Sequence, residues 1–368
     1  MTNLRKGGGI QVGLSIIEAY NSLSLEFNFI AFCSTSLYQR IPIEVFENNK
    51  ITIIKLDIIL VNPLSVLKGI YKLSKFEQMY NTIGCITIFG PTLYRPNCKH
   101  LVGFAQGHLI YPDSPYWSNT SIFVKLIFRI KSFIFKYLFS YSSDVYHVES
   151  DFAKINLSKY LKVDIDKIIV ANNYPHIIFD KHHNYFKRLY FNYDDSFIFV
   201  VPCAYYPHKN LEIINKIIEY LNFNNFVVKI KFILTLDQDI FEKKFIKSEM
   251  IVNIGPVSGL DLINLYNNSN ALFLPTLLEL FPGNYLECMK LGKPILTSDL
   301  PFARDICKDA ALYFNPLRAD LIYKNIKDFI ADKNMQNTLI LNGFAQIKQF
   351  QSSIERATTL INKLKNND

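Results

Sequence analysis

Residues 271–316, ALFLPTLLELFPGNYLECMKLGKPILTSDLPFARDICKDAALYFNP, carry the pattern that decides the fold. An apolar strand, Ala271 to Leu274, runs into a polar loop; a helix follows, and a second apolar strand begins at Pro294. Short apolar runs that alternate with segments of helical period are typical of parallel strands joined by crossover helices. The same alternation recurs along most of the chain. We therefore predict an α/β protein.

The length of 368 residues exceeds what one hydrophobic core usually holds, so two domains are expected. A polar, aromatic-rich stretch without a clear period, residues 181–196, separates two runs of strand and helix signals, and we place the boundary there. The prediction is a first domain at 1–184, a second at 185–348, and a C-terminal helix at 349–368 that packs back toward the first domain.

The composition excludes several classes of protein. Hydrophobic residues make up 49% of the chain, which is too many for a disordered protein. The formal net charge is +8, but the basic residues are scattered, which argues against a nucleic-acid partner. The six cysteines form no C-x-x-C pair and are expected to be reduced. No signal peptide or membrane-spanning run is evident, so we expect a cytoplasmic protein.

Two carboxylates lie close to the start of the helix that follows the strand at residue 271. Glu279 stands in the loop, where we expect it to be exposed, and Glu287 stands in the helix. Ligands of open α/β sheets bind outside the carboxyl ends of the strands, where this loop is expected to lie. A carboxylate there can accept hydrogen bonds from sugar hydroxyls, and helix N–H groups can receive a phosphate. An isolated pair of this spacing also fits a helix cap and a solvated charge, so the neighbouring residues decide.

Those neighbours resemble the retaining glycosyltransferases of family 4. The family pattern E-G-F-G-x-x-x-x-E stands here as ELFPGNYLE at 279–287, followed by GKPILTSD at 292–299 and PFARD at 301–305. Leu280 and Pro282 replace the usual glycines. The resemblance implies a GT-B fold, in which two Rossmann-like βαβ domains face each other across a cleft.

The resemblance also implies roles for individual residues. Glu279 would contact the donor sugar and Glu287 the ribose of its nucleotide. The other donor-binding candidates are residues of the same loop and of a GPVS segment near the nucleotide base: Phe281, Pro282, Gly283, Asn284, Gly255 and Pro256.

A second segment, VVPCAYYPHKN at 200–210, is similar to the family's G-R-L-x-x-x-K-N motif, whose basic residues neutralise the donor diphosphate. Lys209 matches the family lysine. The arginine position falls on Ala204, and His208 is a candidate to replace part of that charge. We predict that Lys209 acts in catalysis as a phosphate clamp.

The first half supplies weaker candidates. Three of only 14 glycines are consecutive, at residues 7–9, directly before a helical pattern, and Gly8 and Gly9 are predicted to approach the donor. A flexible tail is the alternative. His108 ends a strand at a polar turn, where the family often places a histidine toward the sugar; a structural histidine fits the position equally well.

A central apolar strand normally precedes such a glycine turn. Here only Met1 to Lys6 precede Gly7, a segment too short and too polar for a buried strand. We therefore predict that the first strand of the N-terminal domain is missing: either the true start lies upstream, or the sheet is built without its opening strand.

Residues 121–140, SIFVKLIFRIKSFIFKYLFS, form a basic, amphipathic helical pattern. One interpretation is a peripheral contact with the inner face of a membrane, where lipid-linked acceptors are found. The other is a helix that covers the sheet and turns a charged stripe to solvent.

We expect a retaining, metal-independent glycosyltransferase that moves a sugar from a nucleotide-sugar donor to a glycan or lipid-linked glycan, in cell-surface polysaccharide or lipopolysaccharide assembly. The two D-x-D triplets, 164–166 and 237–239, are read as solvated turns. A nucleotide-sugar epimerase of GT-B shape and a catalytically inactive scaffold subunit are the alternatives. No motif in the sequence identifies the donor sugar, its base, the acceptor, the linkage formed or the oligomeric state.

Overall fold

The computed structural model describes residues 1–2, 4, 8–24, 26–59, 62–118, 120–181, 195–257 and 259–365. The chain divides into two compact units. Unit 1 comprises Met1–Pro112, Thr120–Tyr174 and Gln351–Asp368, and unit 2 comprises Asp113–Asn119 and Pro175–Phe350. Gly7 and most of the predicted boundary, residues 182–194, lie outside the described residues.

Unit 1 contains two parallel sheets with helices between their strands. Its elements, in chain order, are α1 Gly8–Ser22, β1 Phe29–Cys33, α2 Thr35–Tyr38, α3 Ile43–Phe46, β2 Ile51–Lys55, α4 Pro63–Tyr80, β3 Gly84–Thr87, β4 Lys99–Gly103, α5 Gly107–Ile110, α6 Ile122–Ser142, β5 Val145–Val148, α7 Asp151–Leu161 and β6 Ile168–Val170.

The sheets of unit 1 are β1-β2 and β3-β4-β5-β6. β1 and β2 pair in parallel from Phe29 opposite Ile51 to Cys33 opposite Lys55. Of the residues before α1, the structure describes Met1, Thr2 and Leu4, and none of these three lies in a strand. Gly8 and Gly9 are the first residues of α1.

Unit 2 contains one six-stranded parallel sheet. Its elements are α8 Ile178–Lys181, β7 Phe197–Val201, α9 Ile213–Phe223, β8 Ile230–Leu234, α10 Gln238–Lys244, β9 Ile251–Asn253, α11 Leu260–Asn267, β10 Ala271–Leu274, α12 Gly283–Lys290, β11 Ile295–Ser298, α13 Pro301–Cys307, β12 Ala311–Phe314, α14 Ala319–Ala331 and α15 Lys333–Gln346.

The strand order in unit 2 is β12-β11-β10-β7-β8-β9, which is the Rossmann order. Apolar side chains on the two faces of the sheet explain why these short runs form buried strands. Phe199, Phe232 and Phe273, from three neighbouring strands, are fully buried in one cluster and pack ring against ring. Ile214 and Ile217 of α9 cover the same cluster.

The last helix, α16 Ser353–Lys365, belongs to unit 1. Its Arg356 is buried and donates a hydrogen bond to Asn173, and one guanidinium nitrogen lies 3.9 Å from a carboxylate oxygen of Glu149. Ser353 also bonds Ser15 of α1 across 2.9 Å. A buried cation without these partners would be strongly destabilising, so the pairing anchors the helix to unit 1.

The predicted strands exist, and their ends shift by a few residues. The apolar run VVKIKFIL at 227–234, which by its pattern predicts a strand, forms one only from Ile230, because Val227 is exposed and cannot contribute to the core. The helical pattern at 121–140 corresponds to a helix from Ile122 to Ser142, because the side chain of Ser121 caps its first turn. The short strand β12 was not predicted at all.

Candidate active site

The candidate active site of unit 2 lies where its strand order reverses. The chain runs from β7 outward to β8 and β9, then returns to place β10 on the other side of β7. The two crossovers therefore leave neighbouring strands in opposite directions, which opens a crevice at their carboxyl ends. Lys209 follows β7 and Glu279 follows β10. The fold thus brings together two residues that are 70 positions apart.

Lys209 and Glu279 form an ion pair. The Lys209 ammonium donates a hydrogen bond to Oε1 of Glu279, and the hydroxyl of Thr276 donates to the same oxygen at 3.1 Å. The two charged side chains are only 16% and 15% exposed, so Glu279 is not the exposed loop carboxylate that the sequence pattern predicts. Burial alone would lower the pKa of Lys209, but the Glu279 carboxylate outweighs it and the pKa is raised.

Backbone contacts hold the two loops against each other. The N–H of Leu277 donates to the carbonyl of His208 at 2.7 Å. The side-chain amide of Asn210 donates to the carbonyls of Pro275 at 3.1 Å and Pro316 at 2.8 Å. Asn210 has a φ of 53°, a left-handed conformation that asparagine tolerates better than most residues. The position of the ion pair is therefore fixed from both sides.

Glu287 forms a second group of contacts, on α12. Its carboxylate accepts a hydrogen bond from the hydroxyl of Tyr266 at 2.6 Å. Asn284 donates to the same hydroxyl at 2.9 Å and to the carbonyl of Pro202 at 3.2 Å, which links α12 to the end of β7. Glu287 is partly exposed as a residue, but its carboxyl group is surrounded by protein, and this burial raises its pKa to about 7.

The residues between the two glutamates form the entry to α12. Phe281 and Pro282 are buried, and the ring of Phe281 lies edge-on to that of Phe350 at 6.0 Å. Gly283 is exposed as the first residue of α12. These contacts show why an apolar Phe-Pro pair can occupy this loop: both side chains contribute to packing, and the backbone that follows remains accessible.

The loop that contains Lys209 lacks the second positive charge of the family motif, as the sequence predicts. Ala204, at the position of the family arginine, is exposed and carries no charge. Burial lowers the pKa of His208, so its imidazole is neutral near pH 7 and does not replace the arginine charge in the unliganded protein. The ring of His208 stacks on Tyr206, with ring centres 5.5 Å apart.

Other predicted site residues lie elsewhere in the chain. His108, Gly8 and Gly9 are in unit 1, where His108 stacks on Phe128 with ring centres 5.1 Å apart. Gly255 and Pro256 are in unit 2, in the loop after β9, and Gly255 has a φ of 77°. Within unit 2, no described contact joins Gly255 or Pro256 to Lys209 or Glu279. Ser258 lies outside the described residues.

The structure adds residues that the sequence did not indicate. Ser114 donates a 2.6 Å hydrogen bond to the carbonyl of Leu277, and Tyr116 lies edge-on to His208. Both belong to residues 113–119, a segment of the first half of the sequence that is part of unit 2. Tyr266 was missed because a tyrosine in an amphipathic helix usually indicates only packing. No local signal marks any of the three.

Comparisons with known proteins match the region that contains this site and the fold of the chain. Residues 190–346 match the family model described as glycosyl transferases group 1. A glycosyltransferase from Rickettsia africae superimposes with a TM-score of 0.72 at 15% identity, covering 99% of this chain and 97% of that one. WaaG, a glycosyltransferase involved in lipopolysaccharide biosynthesis, superimposes with a TM-score of 0.71 at 10% identity, covering 100% and 99%. The chain has the GT-B fold and carries a glycosyl transferases group 1 region.

The predicted resemblance to glycosyltransferases of the GT-B fold is thereby confirmed. A curated relative, the O-antigen chain mannosyltransferase RfbU of Salmonella typhimurium, is 27% identical over 211 residues. The match covers 56% of this chain, and the chain spans just over half the length of that relative, 56%. The group 1 region contains both Lys209 and Glu279, and its first described strand is β7.

We predict that Glu287 makes stability depend on pH. A carboxyl group whose pKa is raised on folding stabilises the fold most below its ordinary value near 4.5, and the contribution is lost as the pH rises through 7. The unfolding temperature of the parent, relative to that of Glu287→Gln, should therefore fall between pH 5 and pH 8. Both proteins are measured without nucleotide, and titrating groups common to the two cancel. A difference that does not vary with pH would contradict the assignment.

Proposed function

We propose that this protein is a retaining glycosyltransferase that moves a sugar from a nucleotide-sugar donor to a glycan. The observation that carries the proposal is the Lys209–Glu279 pair at the strand-order reversal of a group 1 region. A positive charge held beside a sugar-binding carboxylate suits a substrate in which a diphosphate is joined to a sugar. RfbU, an O-antigen chain mannosyltransferase, and WaaG support an acceptor of the lipopolysaccharide or surface-polysaccharide class.

The donor would bind to unit 2 with its diphosphate at Lys209 and its ribose at Glu287. The structure of Anabaena HepE in complex with UDP and glucose, at 12% identity and a TM-score of 0.68, is a further GT-B neighbour. When a phosphate arrives, Lys209 must divide its hydrogen bonds between phosphate and Glu279. Glu279 would then accept hydrogen bonds from sugar hydroxyls in place of one lysine N–H.

Retention follows in this proposal from attack on the same face of the sugar. The bond from the anomeric carbon to the diphosphate oxygen breaks, and the acceptor oxygen bonds to the same face of that carbon. The acceptor proton passes to the departing diphosphate. The protein positions both substrates and stabilises the leaving charge through Lys209. His108 of unit 1 is proposed to face the sugar, and Gly8 and Gly9 to approach the donor.

We propose that the reaction needs no resident metal. The support is the local chemistry of the two D-x-D triplets. Asp164 caps a turn by accepting a hydrogen bond from the N–H of Asp166 at 3.1 Å, and Asp237 precedes the first residue of α10. Both triplets are thus part of helix starts, where aspartate is common.

The helix α6 supports a peripheral membrane contact. Its apolar side chains are mostly exposed, and those most so are Ile122, Phe123, Phe133 and Tyr137. The helix carries basic residues and no acidic ones. An apolar face among basic charges suits an anionic membrane surface, where a lipid-linked acceptor would lie, and we propose that the enzyme works there from the cytoplasm. No described helix is long and apolar enough to span a bilayer.

An epimerase and an inactive scaffold remain as alternatives. An epimerase would convert the nucleotide sugar without an acceptor, whereas the proposed enzyme releases nucleoside diphosphate only when acceptor is present. A scaffold would show no saturable heat on titration with nucleotide sugar. The exposed Ala204, in place of the family arginine, is the observation that favours the scaffold.

We predict that Glu279→Gln lowers turnover by at least about 10-fold, because the amide cannot accept sugar hydrogen bonds as a carboxylate does. The substitution also leaves the buried Lys209 without its charge partner, so the unfolding temperature should drop. Activity is therefore measured well below that temperature, where circular dichroism shows the variant folded. Glu219→Gln, at an exposed position of α9, is the control. Parental turnover in folded Glu279→Gln would remove this residue from the donor site.

We predict that Lys209→Met weakens nucleoside diphosphate binding by about 1.5–3 kcal/mol, the contribution of a charge-assisted hydrogen bond. Methionine keeps most of the apolar stem of the side chain, so packing is largely preserved. Isothermal titration with UDP and GDP measures the loss, and exposed Lys216→Met serves as the matched control. Equal affinities in Lys209→Met and the parent would refute the phosphate role.

We predict that the parent protein cosediments with vesicles containing anionic phospholipid and that Phe123→Ser/Phe133→Ser reduces the bound fraction at least about 5-fold, because both rings would leave the apolar interface. Neutral vesicles should bind less, and added salt should weaken binding. Exposed Phe223→Ser in α9 is the control. Equal sedimentation of the parent with and without vesicles would exclude the contact.

A further inference from the structure

A cavity of about 620 Å³ lies inside unit 1, between its two sheets. Residues 29–32 of β1 line one side of it, and all of β3 lines another. Within the described residues, β1 pairs only with β2, and β3 pairs only with β4. Each of the two strands therefore has one edge without a strand partner, and both strands border the same cavity.

The strand β1 directs some of its backbone N–H and carbonyl groups toward the edge that borders the cavity. The N–H of Phe29 donates to the carbonyl of Lys50, beside β2, at 2.7 Å. Backbone groups alternate in direction along a parallel strand, so Ile30 and Phe32 direct their N–H and carbonyl groups away from β2. Those groups need hydrogen-bond partners when water is excluded.

The same reasoning applies to β3. The N–H of Gly90 donates to the carbonyl of Gly103 at 2.7 Å, so Gly103 and, two residues earlier, Leu101 face the β3 side. Leu101 lies opposite Ile86 in the register, and its backbone groups form hydrogen bonds with the two residues next to Ile86, Cys85 and Thr87. Ile86 therefore directs its own backbone groups to the free edge.

Helices and loops supply the remaining walls of the cavity, and the helical part of them is largely apolar. Helix α4 is one source, and α1 with α16, which contact each other, is another. An interior parallel strand is covered by apolar side chains on both faces. The apolar lining of the cavity therefore suits a strand of this kind. The main contributors are Val66, Ile70 and Leu73 of α4, Tyr20 of α1, and Ile361 and Leu364 of α16.

Met1 lies at one end of the cavity. Its carbonyl accepts a hydrogen bond from the N–H of Ser34 at 3.4 Å. Ser34 is two residues beyond Phe32 and shares its backbone direction, so Met1 sits at the free edge of β1, just past the carboxyl end. A strand parallel to β1 in the cavity would end at this point.

Unit 2 gives an internal comparison. Its sheet order is β9-β8-β7-β10-β11-β12, with β7, the first strand of that sheet in chain order, at the centre. In unit 1 the corresponding halves are β2-β1 and β3-β4-β5-β6, and the cavity occupies the central position between them.

We propose that this cavity is a strand-binding site whose occupant is an apolar peptide segment of about five residues, parallel to β1 and β3 and joined to Met1 at its carboxyl end. The segment would accept and donate hydrogen bonds at Ile30, Phe32 and Ile86 and so unite the two sheets. A strand fits better than an acyl chain, because only a peptide satisfies both rows of backbone groups.

Fusion of a five-residue valine and isoleucine segment ahead of Met1 tests the proposal on the full chain. The fusion should raise the unfolding temperature by about 5 °C or more. Hydrogen exchange at the amides of Ile30, Phe32 and Ile86 should slow at least about 10-fold. The amide of Phe29, which already bonds the β2 side, should change little and is the internal control.

A second fusion of the same apolar composition, with proline at the central position, separates strand pairing from simple filling of the cavity. Proline removes an N–H and disrupts the ladder, so this variant should show neither effect. Equal stabilisation by both fusions would overturn the proposal in favour of nonspecific apolar filling. It would also be overturned if the three amides exchanged slowly in the unfused chain, or if an acyl lipid co-purified in the cavity.

Discussion

The buried pairing of Lys209 with Glu279 is the interaction on which the rest of unit 2 depends. Each charge is largely removed from water, and each would be costly without the other. The pairing therefore requires the loops after β7 and β10 to remain together, and the carbonyl contacts of Asn210 and Leu277 hold them in that position. The site is preorganised because the loops after β7 and β10 are hydrogen-bonded to each other and are also anchored to the sheet.

The residues of the candidate site could be picked out from the sequence because they stand in short motifs. Glu279, Glu287 and Lys209 each stand in a segment with a recognisable order of strand, loop and helix, and the strand order of a Rossmann sheet then brings the loops together. The exposure of Glu279 was predicted incorrectly, because its partner is 70 positions distant and no local pattern records that contact. Ser114, Tyr116 and Tyr266 were missed for the same reason.

For the fold, the sequence located the strands but did not determine where they end. Apolar runs located the strands, but the strand ends depended on tertiary contacts, as at Val227, which solvent exposes. The assignment of α16 to unit 1 depends on the buried Arg356, whose partners Glu149 and Asn173 are distant in sequence. In the first half, sequence reasoning did not locate the cavity between β1 and β3, because its walls come from segments that are distant in sequence.

Exchange of the two charges tests the central claim, that the pair is oriented for a ligand and does more than stabilise the loops. The double variant Lys209→Glu/Glu279→Lys retains an ion pair at the same place, so its unfolding temperature should lie closer to the parent than that of either single variant. Addition of a nucleoside diphosphate should raise the unfolding temperature of the parent and leave that of the double variant unchanged. An equal rise in both proteins would contradict the account.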